Sequence, residues 1–438
     1  TLWVLIQARV MAAKDADIRS FVIQAAKDEG RGVDIKEGMS SFAFYENIMS
    51  NHLTALVKVT DSGNSIEKDG KRVSIMEGLP IRGGEEIRFD IEDSNKNKLK
   101  GELYLNKMMD GAQSTKSDSF TIQCVSKESF TNEMTRVTKR YEGKVSENVT
   151  KILQEIMEAD FKPENIEETS NSYNFIGNDR KPFYVCTWLA TKGIPTENVG
   201  KTGGFFLYQT QDGMNFKSVD NLLDQDVKKK YVSNDSDAMP EGYDDKILNY
   251  DMNRSVDLGS NLSLGAYNNR TLYFDPYQFK YTHKDFNITE QEGVKHAGGS
   301  EDDFDFINPV FTESTTRLMT AILDLGTLPT GADAKAQLER WASNTEESND
   351  KVMDRMVQSV MRYNQMYSVV TSITIPGDFS LRAGDIIQCD FPRVSGDTKD
   401  IDKKSSGKYL ISSLCHYVTP SRCYTQLGLI RDSYGRKV

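Results

Sequence analysis

Two stretches of this 438-residue chain repeat one another at a distance of 300 positions. Pro80 to Ile91 reads Pro-Ile-Arg-Gly-Gly-Glu-Glu-Ile-Arg-Phe-Asp-Ile, and Ser380 to Phe391 reads Ser-Leu-Arg-Ala-Gly-Asp-Ile-Ile-Gln-Cys-Asp-Phe. Arg82 and Arg382, Gly84 and Gly384, Ile87 and Ile387, and Asp90 and Asp390 stand in register, with an acid after each glycine. Physically each copy is a turn feeding a strand. Glycine takes positive φ at little cost, and the alternation after it fits a strand with one buried face. Each copy is succeeded by two further strand-like runs. The pattern predicts a duplicated β module used twice to build a surface.

The length allows several cores, with about three domains as the ordinary expectation. A net charge of -11 argues against a protein that grips nucleic acid by its phosphates. No apolar run is long enough to span a membrane, and Thr1 to Ile6 lacks the basic leader of a secretion signal. The cysteines Cys124, Cys186, Cys389, Cys415 and Cys423 are odd in number and lie within apolar patterns. They read as small core residues of a chain matured in a reducing cytoplasm.

Periodicity divides the chain. Asp15 to Glu29 places Ile18, Phe21, Val22, Ala25 and Ala26 at helical spacing, so residues 1–35 read as a helical extension. A β region occupies 36–128, with strands at Ser41–Tyr45, Leu53–Val59, Ile87–Ile91, Leu99–Leu105 and Phe120–Val125. Residues 129–219, with 305–366, form a helical module. In it Ser146 caps one helix, Pro182 opens another, and Asp212-Gly213 makes a type I′ hairpin. Asp220 to Gly242 reads as a crossing loop, and Thr315–Leu323, Asp333–Ser343 and Asn349–Met366 as helices. Residues 245–290 and 367–433 compose the second β module.

The last hairpin can be registered from sequence. Folding about Thr419 to Arg422 sets Val418 opposite Cys423, Tyr417 opposite Tyr424, Leu414 opposite Leu427 and Ile411 opposite Ile430. Cys415 then faces Gln426, so no Cys415–Cys423 disulfide is expected. Both faces carry apolar pairs. One face suits a core and the other a second domain or subunit, which makes Tyr409, Ile411, Tyr417, Tyr424 and Ile430 candidate subunit-interface residues.

Chemistry is sparse. His52, His283, His296 and His416 have no metal-ligand spacing, and no nucleophile elbow, zinc-protease motif or phosphate-binding glycine loop occurs. Glu301 to Asp305 is acidic but lacks the alternation and central glycine of a calcium loop. No catalytic residue, cofactor or metal site is expected.

Three stretches carry a family resemblance. The first is Ser41 to Asp61, with Phe44 to Ile48 and Lys58 to Ser62, and then Leu79 to Glu85. The second is Lys181-Pro182-Phe183 through Trp188-Leu189-Ala190, then Gly203 to Tyr208 and Asp212 to Ser218. The third is Ile375 to Asp385 with the Tyr409–Arg431 hairpin. In this order they resemble the baseplate hub subunit of contractile-tailed, T4-type phages.

The resemblance implies a mainly β fold with α+β accessory domains and two tail-tube-like β-barrels in one chain. Arg82, Gly84, Arg382 and Gly384 would mark equivalent points of the two. It also implies a homotrimer with six barrels in a ring, joined to a tail tube protein and a central spike protein, with other baseplate and tape-measure proteins nearby. Genomic DNA would pass through without specific binding, and the protein would reside in the virion after assembly in the host cytoplasm. Two rival readings remain: a tail-associated cell-wall hydrolase and a secreted β-rich adhesin.

Overall fold

The computed structural model describes residues 15–24, 32–63, 66–68, 71–79, 81–114, 117–196, 202–234, 239–253, 258–276, 279–287, 297, 309–311, 313–324, 326–327, 333, 335, 359–393 and 401–432. The fold is mainly β. The first module contains Ala16–Gln24 (β1), Gly32–Asp34 (β2), Met39–Asn47 (β3), Thr54–Asp61 (β4), Ile66–Lys68 (β5), Lys71–Val73 (β6), Glu86–Asp93 (β7), Lys98–Gln113 (β8) and Asp118–Val125 (β9). Its short helix Ile75–Gly78 (α1) is capped by the Ser74 hydroxyl, which accepts from the Glu77 amide.

An accessory module comes next. It holds the helices Lys127–Met134 (α2), Val145–Glu155 (α3), Pro182–Ala190 (α4) and Val219–Leu223 (α5). Its two ribbons are Arg140–Tyr141 (β10) with Phe175–Ile176 (β11), and Phe205–Thr210 (β12) with Gly213–Ser218 (β13). Pro182 stands in the first turn of α4, where its missing N–H costs nothing. At the hairpin only Gly213 of the Asp212-Gly213 pair has positive φ, so the turn is not type I′. The cap of α3 is Lys144; Ser146 lies inside the helix and bonds Thr169 instead.

The second module contains Lys229–Val232 (β14), Asp245–Lys246 (β15) and Asn249–Asn253 (β16), and later Val369–Pro376 (β20), Ile386–Asp390 (β21), Gly407–Thr419 (β22) and Arg422–Arg431 (β23). Between β16 and β20 lie the helix Leu258–Leu264 (α6) and a separate three-stranded sheet. That sheet consists of Asn268–Asp275 (β17), Lys280–Asn287 (β18) and Arg317–Ile322 (β19) in the order β18-β17-β19.

The sheet topology departs from two independent barrels. Both modules belong to one fourteen-stranded sheet, joined where β3 pairs antiparallel with β22, Asn47 against Ser413 through Phe42 against Val418. Val418, Cys423 and Phe379 of the second module share the core of the first with Phe42, Phe44 and Phe89. The sheet curls enough for β1 and β3 to meet across that core, where the Phe21 and Phe42 rings stand edge to face at 5.2 Å.

Four sequence expectations are corrected. Residues 16–24 form strand β1, paired along β7, and not a helix. A bulge between Ile18 and Ser20 resets the alternation, so the buried Ile18, Phe21 and Ile23 fall at a spacing that imitates a helical stripe. Arg317–Ile322 is likewise a strand, parallel to β17. Lys229–Val232, inside the stretch Asp220 to Gly242 that reads as a crossing loop, pairs in parallel with β21. Residues 268–287 do not join the second module's sheet but build the small sheet with β19. Within Asn349–Met366 the described part is 359–366, helical through 365; most of 333–343 lies outside the described residues.

Candidate assembly surface

The two repeat turns are held by the same backbone bonds. The Gly84 amide donates to the Leu105 carbonyl at 2.8 Å, and the Leu105 amide donates to the Glu85 carbonyl at 2.9 Å. The Gly384 amide donates to Ile411 at 2.8 Å, and the Ile411 amide donates to Asp385 at 2.9 Å. Gly84 and Gly384 have φ of +83° and +94°, the left-handed region that side chains resist. In both turns the acid's carboxylate accepts the arginine's amide, Arg82 to Glu85 and Arg382 to Asp385, each at 2.7 Å.

The equivalence extends across five strands. A row of partners runs Glu86, Tyr104, Val125, Thr54, Tyr45 through β7, β8, β9, β4 and β3. The matching row runs Ile386, Leu410, Ile430, Val370, Asn253 through β21, β22, β23, β20 and β16. Even the irregularities agree: β8 bulges between Leu105 and Lys107, and β22 between Ile411 and Ser413. The sixth strands differ, because β1 runs antiparallel to β7 whereas β14 runs parallel to β21.

One difference between the copies creates the joint. Glu85 reaches both the Arg82 and the Gly83 amides, the latter at 2.9 Å. Asp385 is one methylene shorter and its carboxylate takes the Arg382 amide. The Ala383 amide instead goes to Glu46 of β3, at 2.9 Å, whose other oxygen accepts the Gln211 amide at 2.7 Å. Arg382 in turn bonds the Asp212 carboxylate at 2.7 Å. Glu46 therefore ties the first module, the accessory hairpin and the second module together. Burial pushes its carboxyl up to about 7, against the pull of the Arg382 guanidinium and the two amides.

The hairpin β22–β23 shows the predicted pairs Val418–Cys423, Tyr417–Tyr424, Leu414–Leu427 and Cys415–Gln426. The bulge shifts Ile411 to face Leu429, and Ile430 faces Leu410. The expectation that Tyr409, Ile411 and Ile430 form a subunit interface is overturned, because all three are buried within this chain. Tyr409 and Ile411 sit in the second module's core, while Leu410 and Ile430 are covered by Phe206, Tyr208 and Val219 of the accessory module. The second apolar face was a real signal, and its cover comes from the same chain. Tyr417 and Tyr424 are half-buried and face outward.

Those tyrosines belong to a broad outer face. One row crosses it as Thr374, Gln426, Cys415, Tyr45 and Thr54, and the next as Pro376, Tyr424, Tyr417, Ala43, Leu56 and Gln123. Over these strands neither row carries a charge; further on, the second reaches Lys107 and the first Glu86. The adjoining positions on the same face add Lys58 and Arg422.

His416 is fully buried, its ring stacked on Phe44 and edge-on to Phe379, and burial lowers its pKa to about 3. It is a neutral core group. All five cysteines are free, and burial raises the Cys124 and Cys415 thiols to about 12. Among the described residues no cluster of His, Cys, Asp or Glu could hold a metal ion, and no helix is long and apolar enough to cross a membrane. His296 and Glu301 to Asp305 lie outside the described residues.

The fold is shared with solved phage tail proteins. The chain is similar in structure to the 43 kDa tail protein of prophage MuSo2 from Shewanella oneidensis, at 7% identity and a TM-score of 0.50, over 94% of this chain and 98% of that one. It is equally similar to the tail protein from Neisseria meningitidis MC58, at 8% identity and a TM-score of 0.50, over 95% and 97%. No protein-family model and no curated protein sequence matches the chain.

Proposed function

We propose that this chain is a structural hub subunit of a phage tail baseplate, of which three copies close into a ring of six like modules, each a tail-tube-like barrel. The observation that carries the reading is the joint between β3 and β22. Within one chain β3, the last strand in the first repeat's row, pairs with β22, the long strand of the second. By the same rule β16, the last strand in the second repeat's row, pairs with β8 of a neighbouring copy. Among the described residues no strand occupies the outer edge of β16 or the β8 edge beyond Tyr104. Unpaired edges of this kind demand a partner or protection. Contacts between unlike edges generate closed rings when the rotation fits, and two modules per chain then need three chains for a sixfold tube face.

In that ring the outer face, with its two uncharged middle rows, lines the channel, where DNA passes with little phosphate pairing. The tail tube protein would meet one rim and the central spike the other, within the virion. The chain acts without catalysis in this reading. The test is the mass of the purified chain by light scattering, with particle imaging. Three copies in a ring are expected, and a monomer or an open filament overturns the proposal. Peptidoglycan turnover abolished by a single carboxylate substitution would favour the hydrolase reading instead.

A further inference from the structure

The small sheet β18-β17-β19 is carried by the rest of the chain at its two ends, by unlike chemistry. Among the described residues none of its strands pairs with the fourteen-stranded sheet. It has a small core of its own, Tyr273 and Leu323 with Phe286 and Ala321 packed against them.

At one end three segments converge. Asn364 and Gln365, on the helix over 359–365, donate to the carbonyls of Leu264 and Ala266 just before β17, at 3.0 and 2.8 Å. The Ala297 amide, from the connection between β18 and β19, donates to the Asp432 carboxylate at 3.0 Å. Arg362 of the same helix reaches Asp432 at 3.3 Å and Asp220 of α5 at 3.2 Å, and all three side chains are fully buried. The Tyr363 hydroxyl adds a bond to the Phe205 carbonyl at 2.6 Å. Breaking such a cluster leaves a charge in the interior without its counterpart, so this end is fixed.

The other end lies beyond the six residues of β19, roughly 20 Å away, and is held differently. Past Ile322 the chain crosses to the accessory module. The Asp324 carboxylate accepts from the Lys192 ammonium at 2.7 Å and from the Tyr173 hydroxyl. Lys192 itself lies 4.7 Å from the centre of the Tyr173 ring and 4.9 Å from that of Trp188. The Thr327 amide donates to the Asn174 carbonyl at 2.7 Å, and a Cβ at Gly326 would come 2.4 Å from that same oxygen. The Asp324 side chain is 43% exposed, so water reaches this pair and competes for it.

We infer that the small sheet is an arm, hinged at the Arg362 end and latched at the Lys192 end, with Lys192 as the residue that holds it shut. Opening exchanges the Asp324 and Thr327 contacts for water, while the ladders within the sheet and the Arg362 cluster stay intact.

The test places spin labels on Tyr184→Cys of α4 and Lys280→Cys of β18, both exposed positions, in the full chain with the half-buried Cys415→Ser. Pulsed electron resonance should give one narrow distance for this parent. Lys192→Met should add a second, displaced distance and speed exchange of the Thr327 amide about tenfold. The amides of the β17–β18 ladder should stay as protected as before. Gly326→Val opens the same latch without removing a charge, and it decides the matter if Lys192→Met does not fold. An unchanged distance would overturn the inference, because the sheet is then held elsewhere. A second distance that comes with lost protection across β17–β18 would overturn it too, since the sheet would be unfolding and not swinging.

Discussion

The Glu46 carboxylate accepts the amide of Ala383, 337 positions away, at 2.9 Å. The contact is available because position 385 carries Asp where the first repeat carries Glu85. A difference of one methylene between two copies of the same turn opens a seat for a residue of the other copy. Duplicated modules become a defined pair through such small asymmetries.

Removing Glu46 should be costly. Glu46→Ala strands the buried Ala383 amide and the half-buried Gln211 amide, and a buried orphan costs about 1–3 kcal/mol. Urea unfolding should show a loss of roughly 2–4 kcal/mol with an unchanged slope. A loss below about 1 kcal/mol would mean that water or Arg382 replaces the carboxylate.

The same group sets a pH dependence. Its carboxyl titrates at about 7 in the folded chain, against an ordinary 4.5. The folded state thus holds the proton more tightly, so the Glu46 contribution to stability falls as pH rises from 4.5 to about 7 and is flat outside that window. Glu46→Gln should flatten this part of the stability profile. An unaltered profile would show that other groups dominate.

Asp385→Glu restores the first repeat's longer acid and should compete with Glu46 for the Ala383 amide. In that background Glu46→Ala should cost less than in the parent, with a coupling of about 1 kcal/mol in a double-mutant cycle. Strict additivity would refute the seat mechanism.

The repeat glycines should differ in tolerance. A Cβ at Gly84 meets nothing within 4 Å, whereas one at Gly384 comes 2.5 Å from the Tyr208 hydroxyl. Gly84→Ala should cost the backbone strain alone, roughly 1–2 kcal/mol. Gly384→Ala should cost about 1–3 kcal/mol more. Equal losses would show that Tyr208 yields freely.

The sparsely charged outer face makes a prediction for DNA. The parent chain should leave a DNA duplex unshifted in a gel at physiological salt. Thr374→Arg, Gln426→Arg and Thr121→Arg together should produce a shift that weakens steeply with added salt. Retention by the parent would remove the free-passage reading.

Much of this fold was legible in the sequence. The Arg-x-Gly-acid turns, the strands after them and four pairs of the last hairpin all arise from short-range patterns. Tyr417 and Tyr424 do face outward. The misread segments share a physical cause. A bulge near Ile18 and the run Leu318, Met319, Ile322 both imitate helical spacing, and pairing with distant strands decides against it. Lys229–Val232 is too short and too charged to announce a strand. Glu46 could not be found at all, since nothing local distinguishes a carboxylate whose partners lie 165 and 337 positions along the chain.

Strand β22 has a mechanical consequence. Its thirteen residues, Gly407–Thr419, contribute Tyr409 and Ile411 to one core, Leu410 to another and Val418 to a third. A pull along this strand loads the ladders to β21, β23 and β3 in shear, with many bonds strained at once and none peeled in turn. Thrust delivered to one module is therefore handed to the other two without a hinge. Such stiffness suits the hub role proposed above, with one strand running through the molecule like a keel.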